Sequence, residues 1–207
     1  SKKDKSFTWP VRLRDNLEIK KEAISVTKRL DVPKERIEAK KLVRQASDME
    51  KAGDYKAALA RYEKAFRSSP DNGDLAKKIA SLALVKMGLN AKAAHYGRIA
   101  VKLNPEDTGA ALQTALGLAN MEQTIEARDY FERAVSGSSP SRQSLASYAS
   151  FSEQNDSLEM ALALLLRYEE LYSGSVETMI SKARMYDKLG NTAQADQEYQ
   201  AILLSGY

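Results

Sequence analysis

Residues 39–72 read AKKLVRQASDMEKAGDYKAALARYEKAFRSSPDN, and this stretch decides the fold. It is two amphipathic helical patterns back to back. Gly53-Asp54 supplies a tight turn between them, and Ser69-Pro70-Asp71-Asn72 ends the second. Ala46 and Ala58 lie on opposite sides of the turn. When the hairpin closes they face each other, and only small side chains let two helix backbones approach that closely. Tyr62 and Ala65 then fill the space along the second helix.

The pattern recurs. The small residue of the first helix returns as Ser81, Ala115, Ala149 and Ala183, at steps of 35, 34, 34 and 34 residues. That of the second helix returns as Ala93, Ala127, Ala161 and Ala195 at the same steps. Turns are placed at Met87-Gly88, Glu122-Gln123, Asn155-Asp156 and Leu189-Gly190. The larger packing residue is Phe131, Leu165 or Tyr199, with Gly97 in the second copy. Pro105 and Pro140 repeat the closing proline. These residues resemble the tetratricopeptide repeat, a helix-turn-helix unit of about 34 residues. The resemblance implies an all-α, right-handed superhelix (an α-solenoid) of five repeats, at 39–72, 74–107, 108–141, 142–175 and 176–207. Lys77 departs from the bulky residue that the family places there, which suggests a tilted or loosely specified first helix in repeat two. Repeat four lacks both the turn Gly and the closing Pro.

Charge is uneven. Residues 1–44 carry 14 Lys/Arg against 7 Asp/Glu, whereas the whole chain has a net charge of +4, so a basic arm precedes a mildly acidic solenoid. Residues 1–14 form an extended basic segment. In it Phe7, Trp9, Val11 and Leu13 alternate with polar residues or proline, a second docking element with one apolar face. Residues 15–38 hold a capping helix over 15–30 and the lead into the first repeat, whose helix starts at Pro33 and runs to about Ala52. The last helix, near Thr192 to Leu204, carries Tyr199, Ile202 and Leu203, an apolar face open to association, a second copy included.

Catalysis needs converging titratable groups, and the pattern provides none. There is no cysteine, which excludes thiolate metal sites and a cysteine nucleophile. The single histidine, His95, lies mid-helix in repeat two without partner ligands. Acidic residues sit at helix-surface spacings such as Glu126-Arg128-Asp129, which suit exposed ion pairs. No metal, cofactor or enzymatic activity is expected. Nucleic acid is disfavoured because the aromatics are repeat-packing residues rather than a stacking platform.

The resemblance implies protein binding in a concave groove lined by the first helices. Carried over, the central groove positions are Leu75, Lys78, Leu82 and Val85 in repeat two, and Leu112, Leu116 and Asn120 in repeat three. Repeats four and five add Ala146, Ser150, Glu153, Glu177 and Arg184. An apolar middle with polar ends suits an amphipathic helix or apolar peptide. Relatives that bind acidic chaperone tails carry a basic clamp; here those positions are Val43, Ser47, Ile79, Gly109 and Gln113, and the clamp is absent. The reading is a non-catalytic adaptor or assembly scaffold. The alternatives are a self-associating structural protein and a membrane-tethered assembly factor of a bacterial pilus or secretion system. A membrane would be reached only through the basic arm or an anchor outside this sequence. A cytoplasmic location is favoured over a periplasmic or membrane-tethered one.

Overall fold

The computed structural model describes residues 34–204. Its regular structure, among the described residues, is entirely helical. Ten helices follow in chain order: α1 (Lys34–Lys51), α2 (Tyr55–Ser68), α3 (Gly73–Met87), α4 (Asn90–Leu103), α5 (Thr108–Ala119), α6 (Thr124–Ala134), α7 (Arg142–Gln154), α8 (Leu158–Tyr172), α9 (Val176–Lys188) and α10 (Thr192–Leu204). They pair into five hairpins, α1/α2 to α9/α10, each packed on the next. The strip over 1–14 and the helix expected over 15–30 lie outside the described residues, as do residues 205–207.

Every hairpin turns through one residue with left-handed backbone, at the same place in each repeat. These are Gly53 (φ 83°), Gly88 (63°), Glu122 (60°), Asp156 (55°) and Gly190 (77°). In four repeats the next backbone N–H closes on a carbonyl five residues back. The bonds are Asp54 to Met49 at 2.9 Å, Gln123 to Leu118 at 3.0 Å, Ser157 to Ser152 at 2.8 Å and Asn191 to Tyr186 at 2.8 Å. They satisfy carbonyls that the helix end leaves open. Repeats three and four therefore keep the turn without its glycine. The first helices of repeats two to five start on side-chain caps: Asn72, Asp107, Ser141 and Ser175 each accept a backbone N–H.

The small residues pack as the hairpin requires. Ala46 and Ala58, Ala115 and Ala127, Ala149 and Ala161, and Ala183 and Ala195 are all buried. Gly97 has a specific cause. A Cβ there would lie 2.2 Å from Thr114 Oγ1, so only glycine lets α5 approach α4. Thr114 is itself satisfied, donating to the Ala110 carbonyl at 2.8 Å. Tyr96 beside it packs edge-on against Phe66, ring centroids 5.6 Å apart.

Lys77, which departs from the family's bulky residue, has a polar partner instead. It reaches forward one repeat to Asp107, Nζ 2.7 Å from Oδ1, and so ties α3 to the residue that caps α5. A Cβ on Gly109 would stand 3.0 Å from that Nζ, so the missing side chain makes the room. The junction of repeats three and four has the longest connection, residues 135–141. Arg167 of α8 holds it, donating to the Val135 carbonyl at 3.0 Å and the Gly137 carbonyl at 2.6 Å. Phe131 stacks on Tyr148 across the same junction, centroids 5.2 Å apart and planes within 2°. Such contacts between neighbours are what a solenoid has in place of a central core.

Candidate partner-binding face

The first helices α1, α3, α5, α7 and α9 stand side by side along one face, and charge pairs link them at both ends. Lys78 of α3 reaches Glu50 of α1, Nζ to Oε1 at 2.8 Å. At the other end Glu153 of α7 accepts from Arg184 and Lys188 of α9, both at 2.9 Å. Burial alone would raise the Glu50 carboxyl, but bonds from Lys78 and Tyr62 outweigh it and hold it below its ordinary range. Glu153 is held low in the same way by Lys188 and Arg184 against the effect of burial. Tyr62 donates to Glu50 at 2.9 Å. Burial first and that bond second push the phenol up to about 12. Between α7 and α9 lies a cavity of about 190 Å³, with Ala146, Ser150, Glu177 and Ser181 among its walls.

Between the two ion-pair clusters the charge thins out, to the Lys77–Asp107 pair and the exposed Lys86 beside Val85. Helix α5, TGAALQTALGLA, has no charged residue. Val85 of α3 occupies the place in its repeat that Glu50 and Glu153 hold in theirs, and it is 67% exposed. Leu116 and Ala119 are half-buried against the core, and Ala146 and Ser150 are exposed.

Three of the leucines expected to face solvent do not. Leu75, Leu82 and Leu112 are 4%, 2% and 6% exposed and belong to the core. Their side chains pack into the core instead of standing free on the face. Lys78 and Asn120 are exposed but partnered, Lys78 with Glu50 and Asn120 through its amide donating to Asn90 Oδ1 at 3.0 Å. Phe7, Trp9, Val11 and Leu13 lie outside the described residues. At the far end Tyr199 and Leu203 are 40% and 78% exposed, while Ile202 is half-buried.

Sequence reasoning missed how the charges pair. Glu126 pairs not within its own helix but with Arg98 of α4, in a two-pronged contact at 2.7 and 2.6 Å. A signal was available: Lys78 follows Glu50 by 28 residues, and Arg184 follows Glu153 by 31. Residues about one repeat apart are spatial neighbours in a solenoid. His95 is exposed on α4, and among the described residues no three histidine or acidic side chains converge as a metal site. None of the described helices is long and apolar enough to cross a membrane.

This architecture defines the chain as a tetratricopeptide-repeat solenoid. The solved structures like it include MamA, with a TM-score of 0.74 and 15% identity over 80% of this chain and 90% of that one. YrrB, a TPR protein with an unusual peptide-binding site, matches with a TM-score of 0.69 and 19% identity over 86% of this chain and 90% of that one. Pseudomonas aeruginosa PilF matches with a TM-score of 0.64 and 14% identity, covering 84% of this chain and 78% of that one. At these identities the likeness is one of fold. No protein-family model matches the sequence, and no curated protein does.

Proposed function

We propose that this chain is a non-catalytic protein-interaction adaptor. It holds an extended or helical partner segment along the concave face of repeats two to four, with Val85, Leu116 and Asn120 at the centre of the contact. The observation that supports this reading is the exposed Val85 beside α5, a helix with no charged residue that lies between ion pairs on α1/α3 and α7/α9. A partner's apolar side chains would be desolvated against α5 without stranding a charge of that helix, and Lys86 beside Val85 would stay at the edge of the contact. Lys78 and Arg184 would stay neutralised by Glu50 and Glu153, so the ends of the face set register more than affinity. The peptide-binding site named for YrrB lends the reading the precedent of a shared fold.

The test is a pull-down from source lysate with wild type beside Val85→Glu, retained proteins being read by mass spectrometry. Val85 is exposed, so the variant should keep its helical CD signal and lose the partner. A charge at Leu112 would serve poorly, because that side chain is buried and its loss reports on folding. Equal retention by wild type and Val85→Glu contradicts the assignment.

A further inference from the structure

The solenoid supplies its own control for the second helices, because the same places recur in every repeat. In α8 three exposed places carry Met160, Ala163 and Leu166. The same places carry Glu126, Asp129 and Glu132 in α6, Lys92, His95 and Arg98 in α4, and three glutamines in α10. Lys92 and Arg98 pair with Glu63 and Glu126 of the neighbouring second helices. Met160 and Leu166 form no such pair, and they remain 44% and 43% exposed. Beside them a groove of about 420 Å³ opens between α6 and α8, with Val135, Tyr148, Met160, Ala163 and Leu164 among its walls. Glu132 also lines it. Glu159 and Glu170 stand exposed at the two ends of α8. None of these three acids is in an ion pair among the described residues. Arg167, which lines the groove too, is engaged by the Val135 and Gly137 carbonyls.

We propose that this groove receives residues 1–14 of the same chain, with the apolar strip Phe7, Trp9, Val11 and Leu13 laid along α8. The two match in length and in the order of their charges. Alternate residues of an extended segment face one side, so the strip is about 20 Å long. Helix α8, with 15 residues, is about 22 Å long. Cations bracket the strip: Lys2, Lys3 and Lys5 precede it and Arg12 and Arg14 close it, against the single acid Asp4. Acids bracket the apolar face of α8, Glu159 at its start and Glu170 at its end, with Glu132 across the groove. Apolar side chains then meet in the middle and opposite charges meet at both ends.

The chain is long enough to make this contact with itself. Residues 15–33 join the strip to α1, and extended they span about 60 Å. From α1 to α8 the array takes three steps between first helices and one to a second helix, about 40 Å in all at about 10 Å each. A tether of that length raises the local concentration of the strip, which favours the chain's own segment over that of a second copy. The concave face is a poorer seat, because Lys86 stands exposed beside Val85 and would meet the cations of the strip. The groove shares no residue with the contact assigned to Val85, Leu116 and Asn120, so it stands whether or not the concave face binds a partner.

The test uses a reporter that the intact chain already carries, since Trp9 is its only tryptophan. Emission from Trp9 should be blue-shifted from that of a free peptide copying residues 1–14, and acrylamide should quench it several-fold less. Ala163→Lys changes an exposed position and sets a cation against the cations of the strip. It should raise quenching to the level of the free peptide while retaining the wild-type CD spectrum. Glu159→Lys combined with Glu170→Lys should move quenching in the same direction, and Val85→Glu should leave it unchanged. Emission and quenching equal to those of the free peptide in the wild-type chain overturn the proposal. Protection that Ala163→Lys does not reduce also overturns it, because the strip would then be seated elsewhere. Protection that is lost on dilution, together with a dimer mass in sedimentation, overturns it in favour of exchange between two copies.

Discussion

Glu122 and Asp156 sit where three other hairpins have glycine, with φ of 60° and 55°. A side chain there crowds the following carbonyl and costs on the order of 1 kcal/mol, less for aspartate than for glutamate. Glu122→Gly should therefore raise the urea midpoint, by about 1 kcal/mol in unfolding free energy, with Asp156→Gly gaining less. A loss of stability in Glu122→Gly would mean that its side chain makes a compensating contact. The place of both turns is legible in the sequence from the repeat period, and the same register marks the strain, since Glu122 and Asp156 align with Gly53, Gly88 and Gly190. A limit is met at Leu75, Leu82 and Leu112. Period assigns them to the first helices, but only the spacing between neighbouring helices decides whether such a leucine faces solvent or packs between them.

Among the elements, α9 is tied to both neighbours by one side chain. Lys182, nearly buried, lies between Glu169 of α8 and Glu198 of α10, 2.9 Å from the latter. Burial alone would lower its pKa, but the bonds it donates to the two glutamates prevail and hold it above the ordinary lysine value. Its contribution is thus fully present below the unfolded lysine pKa and is lost as pH rises through the elevated one. Lys182→Ala leaves two carboxylates facing each other and should cost about 3 kcal/mol in urea denaturation at neutral pH. A cost below about 1 kcal/mol would show the triad to be solvated like a surface pair. The partners stand 13 and 16 residues away in sequence, outside any single-helix spacing, which is why pattern reading did not find them.

Across the whole molecule three carboxylates that join repeats share one direction of shift. Glu50, Asp107 and Glu153 are all held below their ordinary values by cationic partners that outweigh burial. The stability they contribute is present above the unfolded carboxylate pKa and is lost as pH falls through the depressed values. The thermal midpoint should be level near neutrality and fall below about pH 4.5. Glu153→Gln should lower it at pH 7 and flatten the acid limb. An unchanged acid limb in that variant would remove Glu153 from the account. The five-repeat plan is legible from alanine spacing and turn position because a solenoid repeats its contacts with its sequence. The candidate face is less legible, since pairing across repeats and the exposure of Val85 depend on how the hairpins stack.

The most direct test of the central claim places a photo-cross-linking residue at position 85, exposed on the first helix of repeat two, or at position 95, which is exposed on the second helix of the same repeat. Irradiation in source lysate should give a discrete adduct from position 85 and none from position 95. Adducts from position 95 alone, equally from both, or from neither would contradict a partner seated on the concave face.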